Sequence, residues 1–441
     1  MTAPPFRRLF FALMQRTRAR LHLIGVITID MNKLSAILMG ICAAGMVSAC
    51  SMDGEYLVDG DYMKDGGYMA EDAAFGGEGG EGGSAEPGSE PGGNNSQAGR
   101  VTAGEWNDLE NWAFWGGLMT DESYSGMSGY WCFWTNNRIA FVVTDKEDNP
   151  ISGVKISLER SKSEIWSSVT DNMGHAECWV GMFQKEDAAD ASAITVKVNG
   201  KTWAGAPAIT SWDCPNGVAV NKIVLENATQ SAQKADIAFI VDATGSMSDE
   251  IQFLKDDLMD ILKKVEAAQG GVSFRTAALF YRDEGDDYIT RTSNFSDKFS
   301  TTLSFIGKQE ADGGGDYPEA VHTALETGLQ GLSWDSSAKT RLAFMLLDAP
   351  AHHNDAVIAS LQKSVAKYAA NGIKIIPIAA SGIDKNAEFM LRFFAVATGG
   401  TYVFITNDSG IGGDHIAASV GEYKVELLND LIIRLIEKYT D

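Results

Sequence analysis

The sequence contains few cysteines and few basic residues for its length. Only 5 of its 441 residues are cysteine, which is too few for a scaffold held by disulfides. Lysine and arginine together number 36 against 59 aspartate and glutamate residues, so the formal net charge is −23. Because nucleic-acid phosphates attract positive surfaces, this composition argues against a nucleic-acid partner. It fits a soluble, self-repelling surface and the binding of cations.

The familiar short signatures of catalysis are also missing. We find no G-x-S-x-G, no H-E-x-x-H and no Walker loop in the sequence. His352 and His353 are adjacent, so their side chains are expected to point apart rather than share a metal ion. Ser246 has no evident general base, which favours a ligand role over a nucleophilic one. The sequence therefore predicts a binding protein and not an enzyme.

An apolar stretch near the N-terminus has the length of a signal peptide. Lys33 precedes the apolar residues 34–46, which are too few to span a bilayer of about 30 Å comfortably. The stretch ends in V-S-A-C at residues 47–50, which resembles the bacterial lipobox, whose cysteine is lipidated and becomes the mature N-terminus. We therefore expect residues 1–50 to be a lipoprotein signal region lipidated at Cys50. An ordinary secretory signal is the alternative.

Two further expectations concern processing and location. Residues 1–30 would make the region before the apolar stretch unusually long, so we expect translation to start at Met31. Ser51 resembles an outer-membrane sorting residue, and Asp53 and Glu55 resemble the acidic tags of some surface lipoproteins. The expected location is the outer membrane of a bacterial cell envelope. The acidic residues extend this expectation to a position at the cell surface.

Residues 51–100 are rich in glycine, serine and acidic residues and poor in large apolar ones. Such a segment cannot bury enough apolar surface to fold, so we expect a disordered linker. A flexible chain of this length has an end-to-end distance of roughly 40 Å, which would lift a folded region clear of lipid headgroups.

Tryptophans are concentrated before Lys234, where nine of the ten occur. Residues 101–136 form a tryptophan-rich segment whose fold the pattern does not assign. We expect these side chains to lie in a core or in a packing seam, and an exposed carbohydrate-binding face is the alternative. An oxidising compartment would allow one disulfide among Cys132, Cys178 and Cys214, and its pairing stays open.

Residues 137–230 read as short strands separated by turn residues, which is typical of a small all-β sandwich. The pattern V-T-D-K-E-D-N-P-I-S-G-V-K-I, followed by V-T-D-N-M-G-H-A, resembles the carboxypeptidase regulatory-like family of β-sandwiches. The resemblance implies a structural or spacer module.

Strand and helix patterns alternate over residues 234–441. The apolar run at 236–241 is typical of a buried parallel strand, and helical periodicity follows over 247–268. A further helix is predicted over 318–329, with Pro318 in its first turn. This alternation predicts an α/β fold with a doubly wound, mostly parallel sheet, in which ligands bind at the carboxyl ends of the strands.

Oxygen-bearing side chains follow the predicted strands. Asp242, Thr244 and Ser246 leave the first strand, and Asp348 follows the strand ending in L-L-D-A-P. Between them, a glycine loop G-G-G-D-Y-P-E carries Asp316. Carboxylates and hydroxyls are hard donors suited to Mg²⁺, which takes octahedral oxygen coordination.

These three motifs resemble the metal-ion-dependent adhesion site of von Willebrand factor A domains. In that family the first loop is D-x-S-x-S, the second supplies a threonine and the third an aspartate. The resemblance implies metal ligation by Asp242, Thr244, Ser246 and Asp348, with Asp316 standing where threonine is usual. The implied cofactor is Mg²⁺, or Mn²⁺ or Ca²⁺. A third carboxylate should bind metal more firmly and recruit an acidic partner less well. A loop without metal is the alternative.

Together these features predict a lipid-anchored cell-envelope binding protein. Its A-type domain would recognise a protein or an extracellular-matrix partner through a divalent metal. One alternative is a structural or assembly factor of an envelope complex, in which metal only stabilises a loop. A metal-dependent hydrolase is a second alternative.

Overall fold

The structure, a computed structural model, describes residues 99–441 apart from 215–216, 227–230, 268–270 and 411–414. The expected signal region, Cys50 and almost all of the expected linker therefore lie outside the described residues. In the described part of the chain, no helix is both long and apolar enough to cross a bilayer.

Strands and helices occur throughout the described residues. The strands, in chain order, are β1 (Thr102–Trp106), β2 (Arg138–Thr144), β3 (Lys155–Arg160), β4 (Ser163–Val169), β5 (His175–Trp179), β6 (Ile194–Val198), β7 (Lys201–Thr202), β8 (Val220–Val224), β9 (Ala232–Asp242), β10 (Ser273–Tyr281), β11 (Thr290–Ser296), β12 (Ala338–Leu347), β13 (Lys374–Ala379), β14 (Tyr402–Ile405) and β15 (Glu426–Leu427). The helices are α1 (Trp112–Thr120), α2 (Glu122–Trp131), α3 (Ile251–Ala267), α4 (Phe299–Ile306), α5 (Val321–Gln330), α6 (Asp355–Ala370), α7 (Lys385–Thr398) and α8 (Leu428–Thr440).

The largest sheet has eight strands in the order β11-β10-β9-β12-β13-β14-β1-β15. Strands β10, β9, β12, β13 and β14 run parallel, and antiparallel strands flank them at both ends. The continuous apolar runs in β9 and β12 are buried on both faces, because helices cover both sides of the sheet. Helices α3, α4 and α8 cover one face, and α5, α6 and α7 cover the other. The predicted α/β fold is confirmed.

Strand β1 comes from the tryptophan-rich segment, far from the rest of this sheet in sequence. Ala103 pairs with Ile405 of β14 on one side and with Glu426 of β15 on the other, so β1 lies inside the sheet. The sequence boundary expected at residue 234 thus leaves out one strand of the sheet. No motif in residues 102–106 signals this pairing, because the strand is short and its partner lies about 300 residues away.

Two smaller sheets occupy residues 138–224, here called the two-sheet region. One has the order β5-β2-β8 and the other β4-β3-β6-β7. Apolar side chains from both sheets, such as Phe141, Ile156 and Val196, join a single buried cluster. The family resemblance proposed for this region stays a prediction. The structure shows no disulfide among Cys132, Cys178 and Cys214.

The tryptophan-rich segment packs against α7. Trp115 stacks on Phe389 with ring centroids 6.1 Å apart, and Phe133 stacks on Phe393 at 4.0 Å. Residues 387–398 of α7 are therefore buried all round, with the sheet on one side and this segment on the other. None of the described tryptophans is an exposed residue, which favours the packing seam over an exposed carbohydrate-binding face.

Candidate metal site at the carboxyl edge of the sheet

The neighbouring strands β9 and β12 bring two carboxylates to one edge. Strand β9 ends at Asp242, and Asp348 directly follows the last residue of β12. Because the two strands are parallel and hydrogen-bonded to each other, their carboxyl ends lie side by side. Both aspartates are buried. The sequence expectation that they share one edge agrees with this placement.

The loop after β9 folds back on Asp242. The backbone N–H of Thr244 donates to Asp242 Oδ1 at 2.9 Å, and its hydroxyl donates to the same oxygen at 2.7 Å. The hydroxyls of Thr244 and Ser246 are 3.1 Å apart. The loop thus gathers a carboxylate and two hydroxyls, as the D-x-T-x-S spacing predicted.

The glycine loop at residues 313–319 packs against the loop that follows β9. Gly245 N–H donates to Gly313 O at 3.0 Å, which ties the two loops together. Gly314 has a φ of +70°, and a Cβ there would lie 3.3 Å from Thr244 Cβ. Glycine therefore allows a backbone conformation and an approach that a larger residue would hinder.

A pocket of about 420 Å³ opens over these loops, lined by Ser246, Asp348 and the glycine loop among others. Asp316 also lines it, but this side chain is exposed and lies at the rim. The structure thus brings Asp242, Thr244, Ser246 and Asp348 together and leaves Asp316 at the mouth.

Glu319 is a carboxylate of the site that the sequence expectation missed. It is 2% exposed and lines the same pocket, and its Oε1 would lie 3.0 Å from a Cβ placed on Gly314. It belongs to the same G-G-G-D-Y-P-E motif as Asp316, three residues further on. A glutamate in that position resembles an ordinary first-turn residue of a helix, so composition alone gave no reason to prefer it.

Burial sets the protonation of these carboxyl groups. It raises the pKa of Asp242 to about 7, with the charge of Asp348 adding to the rise and hydrogen bonds from Thr244 opposing it. Burial likewise raises the pKa of Asp348 to about 6, opposed by the Ser246 hydroxyl. Burial and the nearby aspartates raise the pKa of Glu319 to about 9. The charged forms therefore need a compensating positive charge.

Several oxygens of the site lack a hydrogen-bond partner among the described residues. Asp242 Oδ2, Asp348 Oδ1 and Glu319 Oε2 are buried and make no hydrogen bond in the described part of the chain. Unpaired buried carboxylate oxygens beside two hydroxyls fit a hard divalent cation. Within the described ranges, no three side chains of His, Cys, Asp or Glu are arranged to hold a metal ion by themselves. The fit thus depends on the hydroxyls of Thr244 and Ser246.

The adjacent histidines have separate partners, as expected. His352 Nε2 lies 2.7 Å from Asp283 Oδ1, whereas His353 Nε2 lies 2.8 Å from the carbonyl oxygen of Tyr130. The His353 ring also stacks on the Tyr130 ring at 3.6 Å. The two imidazoles therefore do not point towards a common metal position.

The fold and the candidate metal site, called the edge site below, define a class of domain. Its members have a parallel sheet with a cluster of oxygen-rich loops at the carboxyl ends of the strands. Residues 236–387 match the von Willebrand factor A domain family, so this part of the chain is a von Willebrand factor A domain. Such a domain suggests a role in protein interaction or adhesion.

Two relatives align with parts of the chain. An ariadne-like RING finger protein of Acanthamoeba polyphaga mimivirus is 34% identical over 118 residues, which are 27% of this chain and 11% of that protein. The alpha-protein kinase vwkA of Dictyostelium discoideum is 27% identical over 164 residues, which are 37% of this chain and 25% of the kinase. The chain thus spans a quarter or less of the length of these relatives.

Solved structures give the following similarities. The conserved hypothetical protein BatB from Bacteroides thetaiotaomicron is 12% identical with a TM-score of 0.33, and the match covers 46% of this chain and 98% of that one. The pilus adhesin SpaC from Lactobacillus rhamnosus GG is 14% identical with a TM-score of 0.34, covering 48% of this chain and 31% of the adhesin.

Proposed function

We propose that the chain is a binding protein of a bacterial cell envelope whose A-type domain recognises a protein or matrix partner through a divalent metal. The observation that carries this proposal is the pairing of Asp242 and Asp348 at one sheet edge, each with a buried oxygen that makes no hydrogen bond to the described residues. A cation at this edge would compensate both charges and leave the pocket mouth accessible to a partner.

Asp242, Thr244, Ser246 and Asp348 would hold the metal, with Glu319 as a third carboxylate inside the pocket and Asp316 at its rim. When bound, Mg²⁺, Mn²⁺ or Ca²⁺ supplies a positive coordination position for an oxygen of the partner. Asp316 adds negative charge where that partner approaches. We therefore expect the partner to offer an oxygen that carries less negative charge than a carboxylate.

No catalytic role is assigned to Ser246. Its hydroxyl lies 3.1 Å from Thr244 Oγ1 and lowers the pKa of Asp348. These contacts orient the serine towards the carboxylates of the site, which supports a ligand role over that of a nucleophile.

Attachment to the outer membrane through a lipid on Cys50 is the second part of the proposal. It rests on the V-S-A-C motif after an apolar stretch. Metabolic labelling with a fatty acid in a bacterial host tests it. Label in the wild-type chain and none in Cys50→Ala is the expected result, and equal label in both would contradict it.

Calorimetric titration of the full chain with Mg²⁺, Mn²⁺ and Ca²⁺ tests the metal site. We expect saturable heat in the wild type, loss of it in Asp242→Ala, and no change in Asp213→Ala, an exposed aspartate of the two-sheet region. Absence of heat in the wild type, or equal heat in Asp242→Ala, would overturn the site. If a captured partner stays bound in EDTA, the metal has only a structural role.

A further inference from the structure

A second cavity lies at the opposite end of the sheet from the metal site. Its volume is about 620 Å³. Residues 168–170 of the two-sheet region line one side, and Arg341 of β12 and Gly372 line the other. Arg341 lies in the first half of β12, whereas Asp348 follows its end, so the two sites occupy opposite edges.

The cavity is more basic than the rest of the chain. Its lining contains five basic residues, namely Arg138, Lys339, Arg341, Lys374 and Lys438, and three acidic ones, namely Glu110, Asp171 and Glu177. The whole chain, in contrast, carries a net charge of −23. This excess of positive charge is therefore a local property of the cavity.

All three acidic residues of the lining are already paired. Arg138 binds Glu177 through two hydrogen bonds of 2.8 and 2.7 Å. Lys374 lies 3.1 Å from Asp171, and Lys438 lies 3.1 Å from Glu110. These carboxylates have partners other than Arg341.

Arg341 is 5% exposed, and in the described part of the chain no carboxylate lies within ion-pair distance of it. Its Nε donates to Asn371 O at 2.8 Å and its Nη1 to Ala338 O at 2.8 Å. Asp236, which pairs with Arg341 in the adjacent strand, instead accepts hydrogen bonds of 2.8 and 2.6 Å from Arg275 and one of 2.6 Å from the backbone N–H of Asp335. A buried guanidinium held mainly by carbonyl dipoles lacks a full counter-charge.

One nitrogen of Arg341 stays available. Nη2 makes no hydrogen bond to the described residues. A Cβ placed on Gly372 would lie 2.9 Å from Nη2, so the glycine leaves that nitrogen accessible. Val169, Leu342 and Phe141 supply apolar surface in the same cavity.

We propose that this cavity binds a small organic oxyanion. A carboxylate or phosphate group of the ligand pairs with Arg341, and its apolar part contacts the apolar lining. Guanidinium groups match both oxyanions with directed, charge-assisted hydrogen bonds. Because the ligand touches the two-sheet region and the A-type domain at once, its binding stabilises their junction.

The test uses the full chain in EDTA, so that no oxyanion binds through a metal at the opposite edge. Thermal unfolding and calorimetry are measured with phenyl phosphate, inorganic phosphate and phenol, against sodium chloride of equal ionic strength. We expect phenyl phosphate to raise the Tm in a saturable way and to bind more tightly than phosphate, whereas phenol has no effect. A Tm change no larger than that of sodium chloride would overturn the proposal.

Three variants locate the site. Arg341→Met should weaken phenyl phosphate binding about 10- to 100-fold, the loss expected for hydrogen bonds to a charged group. Arg160→Met removes an equal charge from an ion pair outside the cavity and should leave the affinity unchanged. Val220→Trp should narrow the cavity mouth, since Val220 is 56% exposed and lines it. Unchanged affinity in Arg341→Met overturns the proposal, and if that variant does not fold, unchanged affinity in Val220→Trp does so.

Discussion

The carboxylates of the edge site differ from one another in how deeply they are buried and in how many hydrogen bonds they accept. Asp242 is fixed by two hydrogen bonds from Thr244, Glu319 lies in the pocket wall, and Asp316 lies at the rim. The closer a carboxylate lies to the two hydroxyls, the more its charge should contribute to metal binding. The depth of each side chain therefore predicts how much its carboxylate contributes to metal affinity.

The order is testable by neutral substitutions measured by Mg²⁺ titration. We expect the affinity to fall about 100-fold or more in Asp242→Asn, about 10-fold in Glu319→Gln and less than about 3-fold in Asp316→Asn. A loss in Asp316→Asn larger than that in Glu319→Gln would show that the rim carboxylate moves in to bind the metal directly.

A buried ion pair joins the tryptophan-rich segment to α7. Arg392 is fully buried, and its Nε donates to Asp108 Oδ2 at 2.9 Å while Trp106 Nε1 donates to Oδ1 at 3.0 Å. Removing the charge of Asp108 leaves the buried Arg392 with Glu388, 3.7 Å away, as its remaining ion-pair partner among the described residues, which is costly. We expect Asp108→Asn to lower the free energy of unfolding by about 3–5 kcal/mol in urea denaturation.

The matched control is an exposed pair of the two-sheet region. Asp148 and Lys222 lie 2.6 Å apart with side chains 74% and 51% exposed. Asp148→Asn should cost less than about 1 kcal/mol, because water screens an exposed pair. Similar losses in both variants would mean that the Asp108–Arg392 pair does not hold the segment in place.

At the level of single residues, the sequence anticipated the groups whose spacing is local. Asp242, Thr244 and Ser246 lie in one loop, so their i, i+2, i+4 spacing was sufficient to predict their convergence. Asp348 required only the rule that parallel strands end at one edge. Glu319 and Asp316 belong to one motif, and only the three-dimensional path of the glycine loop separates the buried carboxylate from the exposed one.

Among the elements, strand β1 has the largest effect on how the domain is bounded. It lies between β14 and β15 and supplies Ala103 to the core beneath α8. Helices α1 and α2 follow it and place Trp115 against Phe389 of α7. The A-type domain therefore depends on residues that precede its first strand, β9, by 101 to 130 positions.

We expect a fragment of residues 232–441 to lack cooperative thermal unfolding and to bind a hydrophobic dye, because β14 loses a partner and α7 loses its outer cover. A fragment of residues 99–441 retains both and should unfold cooperatively. Near-ultraviolet circular dichroism and calorimetry of the two fragments compare them. An equal Tm in both would show that β1 and the helices contribute little.

The sequence pattern predicted these elements better than it predicted their first residues. The apolar run at 236–241 lies within β9, and the periodicity over 247–268 contains α3, which begins four residues later, at Ile251. The helix predicted from Pro318 begins instead at Val321, because the backbone N–H of Glu319 donates to Pro350 O at 2.9 Å and holds the chain extended. Such a contact across the sheet edge is not encoded in the local pattern.

For the whole molecule, the buried carboxyl groups make stability depend on pH. Burial raises the pKa of Asp257 to about 6 as well, in addition to the raised values in the edge site. In the unfolded chain the pKa of each of these groups is about 4, so between about pH 4 and 9 these groups bind more protons in the metal-free folded state than in the unfolded state. The free energy of unfolding should therefore fall as the pH rises through this window.

Metal should reverse part of this loss. A divalent cation bound at this edge would stabilise the ionised forms of Asp242 and Asp348, so it would compete with protons and bind more tightly as the protons leave. We expect the rise in Tm caused by saturating Mg²⁺ to be larger at about pH 8 than at about pH 5, measured at high salt to screen surface charges. In Asp242→Asn the Mg²⁺ effect should disappear and the metal-free stability should vary less with pH. A metal-free Tm that rises from about pH 5 to 8 would mean that these carboxyl groups ionise without a cation. An Mg²⁺ effect equal at both pH values would mean that the edge is not a metal site.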